Sequence, residues 1–233
     1  MTLNANRMPL RYCIASYLEP KKLSDLRWYL DLTTKFSYLQ TATDFAFATL
    51  DSKQCVICYR GTEGIKGWIS DLQVFDRFHD SIDPGIEDGF GAFAHDYYAW
   101  TVQRVAEAHQ AGVPVYLTGH SRGGACASVT TLLLARDNLS VSDTVTFGSP
   151  MWCNEKIAEE WTSRGLTQYR YYTTYDVVVT LPPLSLNFVA IPAGVEVRTK
   201  FWLPYPPLGN SLKFLRGCHD HKTETYQQFI GKD

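Results

Sequence analysis

The segment YLTGHSRGGACAS (116–128) sets Ser121 between Gly119 and Gly123, with an apolar run before it and an alanine-rich run after it. A serine hydroxyl is a weak nucleophile until a base takes its proton and hydrogen-bond donors receive the oxyanion it creates. A sharp strand-to-helix turn serves both needs. It exposes the hydroxyl at its apex and brings a helix N-terminus close to the developing negative charge. The glycines follow from the same turn, because a side chain at either would strike the neighbouring backbone. A plain Gly-rich connection between strand and helix fits the residues too. A phosphate cradle does not, because the spacing is neither GxGxxG nor GxxxxGK[ST].

An elbow serine needs a histidine base and an orienting carboxylate, and in this kind of turn they follow in the order serine, acid, histidine. Asp176 closes the Tyr- and Thr-rich run QYRYYTTYD, at the end of a strand where a carboxyl edge belongs. Asp143 precedes its strand, and Glu155, Glu159 and Glu160 fall on a helical pattern. After Asp176 come only His219 and His221, in CHDHKTETYQQF. The alternatives for this pair are solvated loop histidines or an HxH metal pair. No third ligand stands nearby in sequence, so neither a metal nor a cofactor is expected.

These residues need a scaffold, and hydrophobic periodicity supplies one. The first 40 residues carry helical spacing, with Leu10, Ile14, Tyr17 and Leu18 on one face and Leu23, Leu26 and Leu30 on another. TDFAFATL alternates, DSK turns, and QCVICY continues, which predicts a hairpin ending at Arg60-Gly61-Thr62. IKGWISDLQVF (65–75) predicts a short helix with an unusually apolar face. A longer helix spans Gly91 to Ala111, VPVYLTG is a buried strand, and 121–136 is a helix. DTVTFGSP and QYRYYTTYD are strands, with NEKIAEEW helical between them and HKTETYQQFI a closing helix; 181–217 is Pro-rich, aromatic and irregular. This alternation predicts an α/β fold in one domain (1–233), a mostly parallel sheet with helices on both faces.

Composition narrows the function classes. A formal net charge of −2 gives no basic field for nucleic acid or anionic membrane. No window approaches the ~20 apolar residues of a membrane span, and the N-terminus has no signal-type apolar stretch, so a cytoplasmic location is the expectation. The six cysteines read as reduced and mostly buried thiols. Cys55 and Cys58 form a CxxC, but three residues apart on a strand they point to opposite faces.

Six segments in order, RGTEGIKGWISDL, EDGFGAF, VYLTGHSRGGACAS, TVTFGSP, YDVVVTLPP and DHKTETY, resemble the class 3 lipases, the fungal triacylglycerol lipase-like branch of the α/β-hydrolases. The resemblance covers roughly residues 43–230. It implies an α/β-hydrolase fold and a serine carboxylic ester hydrolase acting on lipid-like esters, at times at a lipid–water interface. By position it implies Ser121 as nucleophile, Asp176 as orienting acid and His221 as base. Thr62 and Arg122 would supply the oxyanion-hole amides. It also places a mobile lid at 65–78, where Ile65, Trp68, Ile69 and Leu72 would face lid or substrate; the same residues suit a core helix. Position 122 departs from the family, which usually carries Leu there, so a charged side chain is expected beside the site, where it would favour an anionic or polar substrate. The frequent Gly-x-x-His-x-Gly-x-Glu segment after Leu181-Pro182-Pro183 is missing as well. An acyltransferase of the same fold and a catalytically silent binding module are the alternative functions.

Overall fold

The computed structural model describes residues 7–17, 30, 35–42, 44–62, 84–173, 176–182, 187–191, 194–197 and 221–229. Among them run helix α1 (Arg7–Ala15), strands β1 (Lys35–Gln40), β2 (Phe45–Leu50) and β3 (Cys55–Tyr59), and helix α2 (Asp88–Gln110). Strand β4 (Val115–His120), helix α3 (Arg122–Arg136), strand β5 (Asp143–Phe147) and helix α4 (Glu155–Ser163) follow. Strands β6 (Gln168–Thr173) and β7 (Gly194–Val197) and helix α5 (Thr223–Phe229) complete the order.

The strands form one seven-stranded sheet in the order β1 to β7. β1–β2 and β2–β3 pair antiparallel, and every later pair is parallel. Alternation along the strands divides the interior in two. Ala46, Ala48, Cys55, Ile57 and Tyr59 face a core shared with α2, α3 and α4. Phe45, Phe47, Val56 and Cys58 face the opposite core, shared with α1 and with Tyr226 of α5. A parallel sheet buried on both faces needs such apolar strands, and β3 is buried at all five positions. Cys55 and Cys58 do fall on opposite faces, and burial raises both thiols, that of Cys55 to about 12. Cys13, Cys55, Cys58, Cys126 and Cys153 are all free and buried.

Two expectations of element type are corrected. Residues 35–40 are the edge strand β1, not helix. KFSYLQ lies outside the two leucine faces counted from 10 to 30, and its side chains are all exposed or half-buried, as suits a strand at the sheet's edge. Within the stretch read as irregular, GVEV (194–197) is β7. Four residues are too few for a period to show, and parallel pairing with β6 defines the strand.

Candidate functional site

The elbow forms where β4 ends and α3 begins. Ser121 has φ 58° and ψ −133°, outside the regions an L-residue prefers. Such a conformation costs about 1–3 kcal/mol and persists only where surroundings over-determine it. Here they do. A Cβ at Gly119 would lie 2.2 Å from the backbone of Gly123, and a Cβ at Gly123 would lie 2.1 Å from the Tyr59 carbonyl oxygen. The Ser121 N–H donates to Phe147 O at 2.9 Å, locking the apex to the end of β5.

Asp176 and His221 meet beside the same end of β5. Asp176 follows β6 and His221 precedes α5, 45 residues apart, yet His221 Nδ1 lies 2.8 Å from Asp176 Oδ2 and 2.9 Å from Oδ1. A carboxylate accepts, so Nδ1 carries the proton and Nε2 keeps the basic lone pair. Gly148 marks the junction, because a Cβ there would stand 2.9 Å from both the carboxylate and the imidazole. Thus Phe147 holds the Ser121 backbone while its neighbour abuts Asp176 and His221.

Asp176 accepts two further hydrogen bonds, from Tyr226 Oη at 2.8 Å and from the Val178 N–H at 2.9 Å. Burial, then the adjacent carboxylate, raises the Tyr226 phenol well above its usual range, so it remains a donor. These donors satisfy the carboxylate oxygens in a pocket where Asp176 is 2% exposed.

His120, directly before Ser121, escaped the sequence reading. Its Nε2–H donates to the His221 carbonyl at 2.6 Å, which leaves Nδ1 to accept from Tyr17 Oη at 2.8 Å. The two imidazole rings lie 4.6 Å apart. Burial, then the neighbouring His221, holds His120 well below the ordinary histidine pKa, so it stays neutral. Only its place beside Ser121 hinted at this function; Tyr17, 103 residues away in sequence, gave no hint.

Thr62 lies three residues beyond the end of β3. At the preceding residue, a Cβ on Gly61 would stand 3.0 Å from Ser121 Cβ. The Arg122 N–H belongs to the first turn of α3, where amides have no intrahelical acceptor. Ser121 Oγ, His221 Nε2 and Thr62 Oγ1 are all buried and hydrogen-bond to no protein group. Such orphans are few in native proteins and usually have a functional reason. The Arg122 side chain corrects one expectation. Its guanidinium is not offered to a substrate, because Asp44 pairs with it at 2.7 Å and Phe93 lies beneath it at 4.5 Å. Ile65, Trp68, Ile69, Leu72, the whole 65–78 segment and His219 lie outside the described residues.

The family model described as Lipase (class 3) matches residues 56–186. The secreted mono- and diacylglycerol lipase 1 of Fusarium solani is 28% identical over 160 residues, covering 67% of this chain and 46% of that protein. The secreted mono- and diacylglycerol lipase A of Penicillium cyclopium is 24% identical over 159 residues, covering 65% of this chain and 48% of its own length. The chain therefore spans about half the length of the curated relatives it matches. Lipase II from Rhizopus niveus superposes with a TM-score of 0.71 at 21% identity, covering 94% of this chain and 90% of that one. That likeness establishes the α/β-hydrolase fold. The cytoplasmic expectation is overturned, since these relatives are named as secreted. Net charge and free buried thiols suit either compartment, so composition had no power to decide. No described helix is long and apolar enough to cross a membrane.

Proposed function

The chain belongs to the class 3 lipase family, and from that premise we propose that it is a serine carboxylic ester hydrolase acting on acylglycerol-like lipid esters. One observation carries the reading. A buried Asp176–His221 pair leaves His221 Nε2 without a partner, and Ser121 Oγ, on a strained elbow at the same strand end, is also without one. The relatives named as mono- and diacylglycerol lipases supply the substrate class.

The chemistry runs as acyl transfer through serine. His221 Nε2 takes the Ser121 proton as Oγ attacks the ester carbonyl carbon. Asp176 holds the Nδ1–H tautomer and stabilises the imidazolium that forms. The N–H groups of Thr62 and Arg122 receive the oxyanion, each contributing about 3–4 kcal/mol of barrier lowering. His221 then returns the proton to the departing alkoxide. Water, activated by the same imidazole, attacks the acyl-enzyme and releases the acid. No direct Ser121–His221 hydrogen bond is needed at rest, since catalytic hydrogen bonds often tighten only once substrate is bound.

Ser121 and His221 are fully buried, so substrate reaches them only after the surface above opens. A lipid–water interface is a natural trigger, because it offers an apolar phase to whatever the opening exposes. The test is hydrolysis of a p-nitrophenyl ester series and of a monoacylglycerol, below and above micellisation, by wild type and Ser121→Ala. Ser121-dependent release that steepens above micellisation is expected. Equal rates for the two proteins would refute the nucleophile assignment.

A further inference from the structure

We infer that the Arg122–Asp44 ion pair is a clamp that sets the spacing of the oxyanion hole, with the Arg122 side chain as a positioning residue for its own backbone N–H. This deepens the proposed hydrolase reading and rests on it.

Arg122 opens α3, immediately after Ser121. Its Nη1 donates to Asp44 Oδ1 at 2.7 Å, with the two side chains 22% and 14% exposed. Its planar face lies 4.5 Å from the Phe93 ring centroid. A partly desolvated arginine held on one side by a carboxylate and on another by a ring has few rotamers left. Rotation of the first turn of α3, and with it of the Arg122 N–H, is resisted accordingly.

Both anchors also grip the strand that leads to Thr62. Asp44 is followed by Phe45, whose carbonyl accepts from the Arg60 N–H at 2.9 Å. Phe93 packs edge-on against Tyr59, with centroids 6.3 Å apart. Tyr59 and Arg60 are the last residues before Gly61-Thr62. The two proposed donors, 60 positions apart in sequence, are therefore tied through one dipeptide and one aromatic ring. Close backbone contact between Gly123 and Tyr59 fixes how near α3 and β3 approach. The ion pair fixes how they are turned. An oxyanion donor is effective only at about 2.7–3.1 Å from the developing charge, so loosening this tie should cost transition-state stabilisation and leave ground-state binding intact.

The experiment measures kcat and KM on p-nitrophenyl butyrate for wild type, Asp44→Asn, Arg122→Met, Arg122→Lys and the Asp44→Asn/Arg122→Met double variant. Inhibition by an alkylboronic acid, which mimics the tetrahedral intermediate, is measured alongside, and thermal melts establish that each protein is folded. The expected result is a roughly tenfold fall in kcat for Asp44→Asn and Arg122→Met with KM within twofold. Boronic-acid affinity should fall in step with kcat, and the double variant should be no slower than the worse single one. Arg122→Lys, which keeps the charge but not the planar stack, should lie between. Should Arg122→Met not fold, the nearly isosteric Asp44→Asn decides by itself. Unchanged kcat in Asp44→Asn, or a change confined to KM, overturns the clamp. Ser121→Ala separates the two levels: if it retains wild-type rates, the hydrolase reading itself fails, whereas Ser121-dependent activity with indifferent clamp variants removes the clamp only.

Discussion

The proposed nucleophile and the proposed acid–base pair are held by different means. Ser121 is positioned by backbone. Its N–H bonds to Phe147 O, and Gly119 and Gly123 allow chain-to-chain contacts that no side chain could enter. Asp176 and His221 are positioned by side chains from distant parts of the chain: Tyr226 Oη on the carboxylate, and His120, backed by Tyr17, on the His221 carbonyl. The two halves should therefore fail differently. Damage to the elbow is damage to the fold, whereas damage around the pair is damage to alignment and protonation.

The largest effects test the shared chemistry. Ser121→Ala should lower kcat by about ten-thousandfold or more while leaving the melting temperature nearly unchanged, because only an unpartnered hydroxyl is lost. Asp176→Asn should cost about 10³–10⁴ in kcat, since an amide can no longer enforce the Nδ1–H tautomer. Steady-state rates on one soluble ester check both, and a mild effect at Asp176 would move the orienting function elsewhere.

The next pair separates backbone from side-chain control. Gly123→Ala places a methyl 2.1 Å from the Tyr59 carbonyl oxygen. It should destabilise the protein by about 1–3 kcal/mol or more, visible in urea melts and in soluble yield. Tyr226→Phe removes one of the donors to Asp176 and should lower kcat about fivefold, near 1 kcal/mol, with little change in the urea midpoint. If the effects were reversed, with Gly123→Ala stable and Tyr226→Phe unfolded, the contrast would be wrong.

The smallest effect concerns pH. His120 is held neutral with its pKa depressed by burial and by His221. Below the ordinary histidine value of ~6.5 the unfolded chain takes up a proton that the folded chain refuses. Stability present above that value is thus lost as pH falls toward the depressed one, with a slope of up to about 1.4 kcal/mol per pH unit. Urea melts from pH 7 down to pH 5 should show that slope. His120→Gln should flatten it, and an unaltered slope would assign it to other groups.

Much of this site could be read along the chain. The elbow announces itself because its requirements are local: small residues at 119 and 123, an apolar run before them and a helix after. Asp176 followed from its place at a strand end, and His221 from chain order together with the motif series. Cys55 and Cys58 separated onto two faces as strand periodicity requires. Short or edge elements were harder. β1 is too exposed to alternate strongly, and β7 is four residues that gain their identity from pairing with β6.

The fold class, the elbow that carries Ser121 and the chain order of the candidate triad were therefore legible in the sequence alone, because period-two and helical patterns and glycine turns act over a few residues. Tertiary structure decided which groups hold those residues in place. Tyr17, His120, Asp44 and Phe93 gain their functions by touching partners far along the chain, and no local pattern encodes that. It also decided the bearing of Arg122. Desolvation against Phe93 and a carboxylate within hydrogen-bond reach turned an apparent substrate-facing charge inward, into the frame of the site.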